Sequence, residues 1–155
     1  MPIQNYEIYT GKGYAGDFAD TGPRTVVTGI VEAATLEMGV GVKPGTAERQ
    51  VLVGHATGDV YGITVRQLNH EAANRPSDGT FTYKNKEAAS VLREGFIFVK
   101  VTDHAAVAHT KLAINDTTGE FVGGTADTGE TQCLNVTAIE SGDADSIIKV
   151  RIDIL

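Results

Sequence analysis

Tryptophan is absent from this chain of 155 residues, and cysteine and long apolar runs are scarce. The single cysteine, Cys133, cannot form a disulfide within the chain, which excludes a disulfide-stabilised framework. No run approaches the roughly 18 apolar residues that a membrane-spanning helix needs. The opening residues MPIQNYEIYT lack the basic region and apolar core of a secretory signal. We therefore expect a soluble protein that does not contact a membrane.

Positive charge is also in short supply. The chain has 13 Lys and Arg against 20 Asp and Glu, for a net charge of -7, and its basic residues are scattered. Binding to phosphates usually requires clustered Lys and Arg, so nucleic acid is not an expected partner. The 41% hydrophobic and 21% charged residues are close to globular averages and exclude a disordered chain. At this length, one hydrophobic core is expected.

The clearest pattern in the sequence is an alternation of apolar and polar residues near its end. Apolar side chains there share one face of a predicted strand: Ile148, Val150, Ile152 and Ile154. The whole strand spans 146–155, and further strands are predicted at 25–32, 36–42, 50–53, 60–66, 95–102, 111–114 and 133–138. Segments rich in Gly, Asn and Asp separate them and are typical of turns. The sequence thus predicts a mainly β fold.

Two stretches do not follow this pattern. In 87–94, Ala88, Val91 and Leu92 have helical spacing, but eight residues form a marginal helix, and we favour a strand leading into a bend at Gly95. Residues 67–82 contain Asn74, Pro76 and Gly79 and are predicted to form a long surface loop.

The N-terminal segment has an unusual composition. Four of the ten aromatic residues fall within the first 18 positions, and glycines 11, 13 and 16 lie among them: Tyr6, Tyr9, Tyr14 and Phe18. No strand or helix period organises them. Aromatic side chains on an extended arm suit docking onto another protein, because tyrosine gives a large contact area at low entropic cost. The alternative is that the arm packs them onto its own domain, and the sequence leaves both open.

No catalytic, cofactor or metal site is predicted. The run GKGYAG at 11–16 has the glycine spacing of a dinucleotide-binding loop, but Gly22 and Pro23 interrupt the helix that this loop requires. His55, His70, His104 and His109 have no metal-binding spacing. Asp143 and Asp145 lack the other oxygen ligands of a calcium loop, and Cys133 has no neighbouring base.

The order of several segments is more informative than any one motif. The runs ATGDVYGITVR (56–66), VLREGFIFVKV (91–101), KLAINDTTGEFV (111–122) and the closing IIKVRIDIL follow the opening YTGKGYAGDFADTGPRTV. In this order and total length the chain resembles the structural cement, or capsid decoration, proteins of tailed bacteriophages. It departs from the family's usual pattern at 109–114 and in the acidic loop ESGDAD (140–145).

The resemblance implies a single compact β-barrel or tulip-like domain that catalyses no reaction. It implies binding to the outer surface of the assembled capsid, where the protein bridges neighbouring major capsid protein subunits and stabilises the shell. A homotrimer, no cofactor, and synthesis in the host cytoplasm are also implied. Two other functions remain open at this point: another virion β domain, such as a tail-tube or fibre-associated protein, or a trimeric β-rich enzyme.

On this basis the chain is divided into an extended arm (1–24) and a β-rich capsid-binding domain (25–155). Aromatic residues and arginine commonly anchor protein interfaces. The candidate capsid-binding residues are therefore those of the arm: Tyr6, Ile8, Tyr9, Tyr14, Phe18 and Arg24.

Overall fold

The structure is a computed structural model that describes residues 13–67 and 82–155. No helix, and so no helix able to span a membrane, occurs in these two ranges. Eleven strands make up the described fold: β1 (Thr25–Val31), β2 (Thr35–Glu37), β3 (Gly41–Pro44), β4 (Gln50–Val53), β5 (Gly62–Thr64), β6 (Thr82–Lys84), β7 (Ala88–Thr102), β8 (Lys111–Asn115), β9 (Phe121–Val122), β10 (Glu130–Ala138) and β11 (Ile147–Ile152). The predicted β-barrel class is confirmed.

The main sheet closes on itself twice, and strand β7 belongs to both closed rings. The first barrel runs β1-β4-β3-β5-β7 and closes because β1 also pairs with β7. The second runs β7-β11-β10-β8-β9 and closes through the parallel pairing of β9 with β7. At 15 residues β7 is long enough to serve both. Within β7, Gly95 has a φ of 136°, a conformation that favours glycine.

Each barrel has its own hydrophobic core. The core of the first barrel is formed by Val31, Leu36, Met38, Val40, Val42, Val51, Tyr83, Ala89 and Val91. The second, larger core includes Val60, Ile63, Leu92, Ile97, Val99, Leu112, Ile114, Phe121, Val136, Ile148, Val150 and Ile152. Val91 and Leu92 are adjacent and both fully buried, because opposite faces of β7 contribute to different cores.

A separate two-stranded sheet, β2 paired with β6, covers the first barrel. It places Tyr83 in that barrel's core, where the tyrosine hydroxyl donates a hydrogen bond to the backbone carbonyl of Val65. Burial raises the pKa of Tyr83 to about 12. The hydroxyl therefore remains a neutral donor, and this bond ties the small sheet to the chain just after β5.

Most predicted strands are present, with three differences. The predicted strand 36–42 is divided into β2 and β3, because the chain turns at Gly39 with a φ of 79°. The segments 87–94 and 95–102 join as β7, so the strand interpretation of 87–94 is confirmed. Strands β6 and β9, with three and two residues, are too short to show a period. Most of the predicted loop 67–82 lies outside the described residues.

Candidate docking surface

Residues 13–20, which we call the strap, lie along β7 on the edge opposite β11. Within the strap, Gly16 donates its N–H to the carbonyl of Phe98 (2.8 Å). In return, Phe98 donates to Asp17 (2.9 Å), and Ala19 donates to Phe96 (3.2 Å). On the strap's other side, the N–H of Arg66 bonds the carbonyl of Gly16 (2.9 Å). The strap therefore adds a short strand to β7 between its pairings with β5 and β9.

Local sequence explains this path. Asp17 accepts the N–H of Tyr14 with its carboxylate (2.9 Å) and donates its own N–H to the carbonyl of Tyr14 (3.0 Å), which closes a tight turn. Gly16 has a φ of 92°, and a Cβ there would lie 2.8 Å from the backbone nitrogen of Arg66. Phe18 pairs with Ile97 and packs against the core of the second barrel, so it anchors the strap.

Three cations lie over aromatic rings around the strap. The guanidinium of Arg24 is 4.0 Å from the ring centre of Phe18, and that of Arg66 is 4.2 Å from the ring centre of Tyr14. The ammonium of Lys149 lies 4.8 Å from the ring centre of Phe96. Such contacts are worth about 0.5–1 kcal/mol each at exposed sites. Together they hold aromatic and cationic groups at the surface in fixed positions.

Two carboxylates of the strap pair with the same cations. Asp17 lies 3.5 Å from Arg66, and Asp20 lies 3.4 Å from Lys149. The pKa of Asp20 is lowered, first by the hydrogen bond from the backbone N–H of Gly22 and then by Lys149. The candidate docking surface consists of the strap with its partners Arg24, Arg66, Phe96 and Lys149.

The structure describes three of the six candidate capsid-binding residues. Tyr14 is 58% exposed and Arg24 is exposed, whereas Phe18 is half-buried beneath the Arg24 guanidinium. The ring of Tyr14 lies against the guanidinium of Arg66 and not against that of Arg24. Tyr6, Ile8 and Tyr9 lie outside the described residues. The arm boundary between residues 24 and 25 remains a prediction, and β1 begins at Thr25.

Sequence reasoning did not select Arg66, Phe96 and Lys149, because each meets the strap from a distant part of the chain. The alternation of buried and exposed residues in β7 and β11 indicates where two of these three side chains lie. Phe96 and Lys149 fall on the faces opposite the buried Ile97 and Val150, and neighbours on one face of paired strands are within reach of aromatic and long side chains. The pairing itself could not be read from the sequence.

Further exposed apolar side chains lie away from the strap. Val26 and Ile30 are on β1, and Val107 is in the loop after β7. Leu134, Ile154 and Leu155 are also exposed. Continuing the β10–β11 register past the pair Val136–Ile152 places Ile154 opposite Leu134, at one end of the second barrel. These residues are secondary candidates for contact with another protein.

The ring of His55, one of the four histidines without metal-binding spacing, has a structural role. Its Nδ1 accepts the backbone N–H of Gly58 (3.0 Å), so the proton of the neutral ring lies on Nε2, which donates to Asp116 (2.8 Å). Thr131 donates to the same carboxylate oxygen (2.7 Å). Both ring nitrogens are therefore engaged, and the network ties the loop before β5 to the turn after β8.

The Asp116 network predicts a pH dependence of stability. Two hydrogen bonds lower the pKa of Asp116. The bond from His55 has the larger effect, and the bond from Thr131 has the smaller one. The unfolded carboxyl titrates near pH 4, so this stabilisation is present above about pH 4 and is lost as the pH falls through the lower folded value. We expect Asp116→Asn, which keeps an acceptor oxygen, to show a smaller decrease in Tm than wild type between about pH 5 and pH 2. Thermal unfolding across that range measures this, with Asp143→Asn at an exposed loop position as the control. Equal acid slopes in Asp116→Asn and wild type would contradict the prediction.

The described residues hold no cluster of metal-binding side chains and no reactive thiol. In residues 13–67 and 82–155, no group of three or more His, Cys, Asp or Glu could hold a metal ion. Cys133 is buried in the second core, and burial raises the pKa of its thiol to about 12. Only a negligible fraction of this thiol is ionised near neutral pH, which makes it chemically inert.

A protein-family model and a solved structure both match nearly the whole chain. A family model described as structural cement protein (E217 gp24/Pam3 gp6) matches residues 2–153. Among solved structures, a chain from the capsid of Myoviridae phage XM1 is similar in fold, with a TM-score of 0.70 and 21% sequence identity over 99% of this chain and 98% of that chain. No curated protein matches. The chain therefore belongs to the phage structural cement protein family and has a structural role in the phage capsid.

Proposed function

We propose that this protein is a non-enzymatic cement protein that binds the outer surface of the assembled capsid. In this role it bridges neighbouring major capsid protein subunits and stabilises the shell. The observation that carries the proposal is the family match across residues 2–153, nearly the whole chain. The fixed aromatic and cationic groups around the strap support it, because such residues commonly anchor protein interfaces.

We further propose that the protein acts as a homotrimer. A trimer that touches several capsid subunits makes its later contacts at high effective concentration, so individually weak contacts add up to a stable attachment. Binding to the assembled lattice and not to free subunits also stabilises that lattice by mass action. Added protein should accordingly raise the temperature at which capsids open. Calorimetry of capsids with and without the protein measures this effect.

The candidate docking residues give a direct prediction. Replacing Tyr9 and Tyr14 together by alanine should weaken binding to expanded capsids by roughly tenfold or more, since interface tyrosines often contribute over 1.4 kcal/mol. Co-sedimentation of the variant with capsids measures the affinity. Thr117→Ala is the control, because Thr117 is also exposed but lies in the turn after β8 and belongs neither to the strap nor to the exposed apolar side chains described above. Wild-type affinity in the double variant would show that these tyrosines do not contact the shell.

The location of the protein in the virion is a separate question with its own experiment. Immunogold labelling of intact particles distinguishes the head from the tail. Labelling over the outer surface of the head is the expected result. Labelling confined to the tail would instead favour a tail-tube or fibre-associated domain and would overturn the cement proposal, whatever the affinity measured in the co-sedimentation experiment.

A further inference from the structure

The strap is held as an added strand and not as part of either closed ring. Its three backbone bonds to Phe96 and Phe98, its bond to Arg66 and the half-buried ring of Phe18 are all contacts with residues far along the chain. A second copy of the chain carries the same strap and the same edge of β7. Every one of these contacts could therefore form between two copies as well as within one.

The connection from the strap to β1 is suited to such an exchange. Residues 20–26 are exposed apart from Gly22, which is partly buried. The N–H of Gly22 and one guanidinium nitrogen of Arg24 both bond Asp20, so these hydrogen bonds stay within the connection. In the described part of the chain, no backbone hydrogen bond joins residues 21–24 to either barrel. This segment can change direction without breaking the β ladders.

The edge of β7 is specific for this particular segment. Gly16 approaches Arg66 and Gly39 so closely that a Cβ at position 16 would lie 2.8 Å from one backbone nitrogen and 3.1 Å from the other. Phe18, two residues later, packs on the core. Asp17 and Asp20 meet Arg66 and Lys149 with opposite charge. An unrelated strand would have to match the glycine, the aromatic ring and both carboxylates at the same spacing.

We propose that the strap is exchanged between copies of this protein, so that residues 13–20 of one protomer lie on β7 of the next. The contacts are the same in both arrangements, so exchange costs little contact energy. Whether it occurs depends on the conformation of the connection and on the local concentration of other copies. If the protein is crowded on a capsid, which rests on the proposed function, the local concentration of neighbouring edges is high. The strap would then link copies to one another.

The test uses full-length chains in solution and no capsids. The antiparallel pair Phe18–Ile97 places Ala19 opposite Phe96, and the N–H of Ala19 bonds the Phe96 carbonyl (3.2 Å). Opposite residues at such positions have Cα atoms about 5.5 Å apart, within the range of a disulfide. Ala19→Cys and Phe96→Cys are made as separate variants that carry different tags. The two variants are refolded together at high concentration and are then oxidised. Cys133 is buried and unreactive. The matched control pairs Ala19→Cys with Thr117→Cys, at an exposed turn position.

Exchange predicts a covalent dimer that carries both tags, seen as a shift from monomer to dimer mass on a non-reducing gel, well above the control mixture. The double variant Ala19→Cys/Phe96→Cys is made in parallel. If it closes within one chain while the mixture gives no more dimer than the control, the proposal is wrong. A double variant that forms no disulfide would contradict the strap position itself. Neither failure bears on capsid binding, which is measured separately.

Discussion

Gly39→Ala is expected to lower the free energy of unfolding by about 2–4 kcal/mol, and Tm by roughly 5–15 °C. Gly39 has a φ of 79°, which costs a residue with a Cβ about 1–2 kcal/mol. The added Cβ would also lie 2.8 Å from both the Cβ of Ala15 and the backbone nitrogen of Gly16. Because backbone and a short side chain cannot rotate away, the strap or the β2–β3 turn must shift.

Gly129→Ala separates the two contributions to this effect. Gly129 has a similar φ of 82°, but no atom lies within 4 Å of the position that its Cβ would occupy. We expect this control to lose about 1–2 kcal/mol from backbone conformation alone. Urea unfolding of both variants and wild type gives the difference. If the two substitutions cost the same, the contact between Gly39 and the strap does not contribute to stability.

The period-two pattern predicted most of the strands because it reports which face of each strand is buried. It worked well for the centre of β11, where Ile148, Val150 and Ile152 are fully buried and Arg151 is exposed. The strand ends at Ile152, however, and Ile154, predicted on the same face, is 46% exposed. It failed to show where one strand ends when a turn is formed by a single residue. Ala15 and Gly16 of the strap lie against the turn at Gly39, and this tertiary contact is not visible in the alternation of residues.

The division of the domain into two barrels was not predictable from the sequence. It depends on which strands pair, including the parallel pairings of β1 with β4 and of β7 with β9, which involve two residue pairs each. The helix-like spacing of Ala88, Val91 and Leu92 is explained by the same arrangement. Val91 faces the first core and Leu92 the second, so two adjacent residues are buried without a helix.

Of the two interpretations of the N-terminal aromatics, packing onto the chain's own domain is observed for Phe18, and docking onto another protein stays a prediction. Phe18 packs onto the chain's own domain, as the second interpretation predicted, whereas Tyr14 remains 58% exposed. Composition could not separate the two residues, because the difference arises from the turn at Asp17 and the ladder with β7. The role of Tyr14 in binding stays a prediction until affinity is measured.

Closure of the two rings also limits how copies of the protein can pair along their strand edges. Open sheet edges promote unspecific pairing between chains. Strands β1, β3, β4 and β5 each have a partner on both sides, and the strap covers the remaining free stretch of β7. Pairing of another copy along this stretch of β7 would therefore require that the strap be released, whereas the separate β2–β6 sheet is not closed. Release of the strap thus controls association at this edge of the main sheet.

Asn135→Leu should strongly destabilise the second barrel, with a loss of about 3–5 kcal/mol. The side chain of Asn135 is 2% exposed and makes three hydrogen bonds. It accepts the N–H of Val60 (3.1 Å) and donates to the carbonyls of Val60 (2.8 Å) and Asp153 (2.9 Å). Leucine has a similar size but would leave all three backbone groups unpaired, at about 1–3 kcal/mol for each buried group.

These three bonds join the chain before β5 and the end of β11 to β10, at a place where the β8–β10 register is shifted. Leu134→Ala is the neighbouring control, because its side chain is 53% exposed and its backbone N–H keeps the bond to Gly58. We expect it to change stability by no more than about 0.5 kcal/mol. Hydrogen exchange of the Val60 amide should become faster in Asn135→Leu and stay slow in Leu134→Ala. Since the ladder is interrupted here, a stable Asn135→Leu variant would mean that packing alone holds this part of the second barrel.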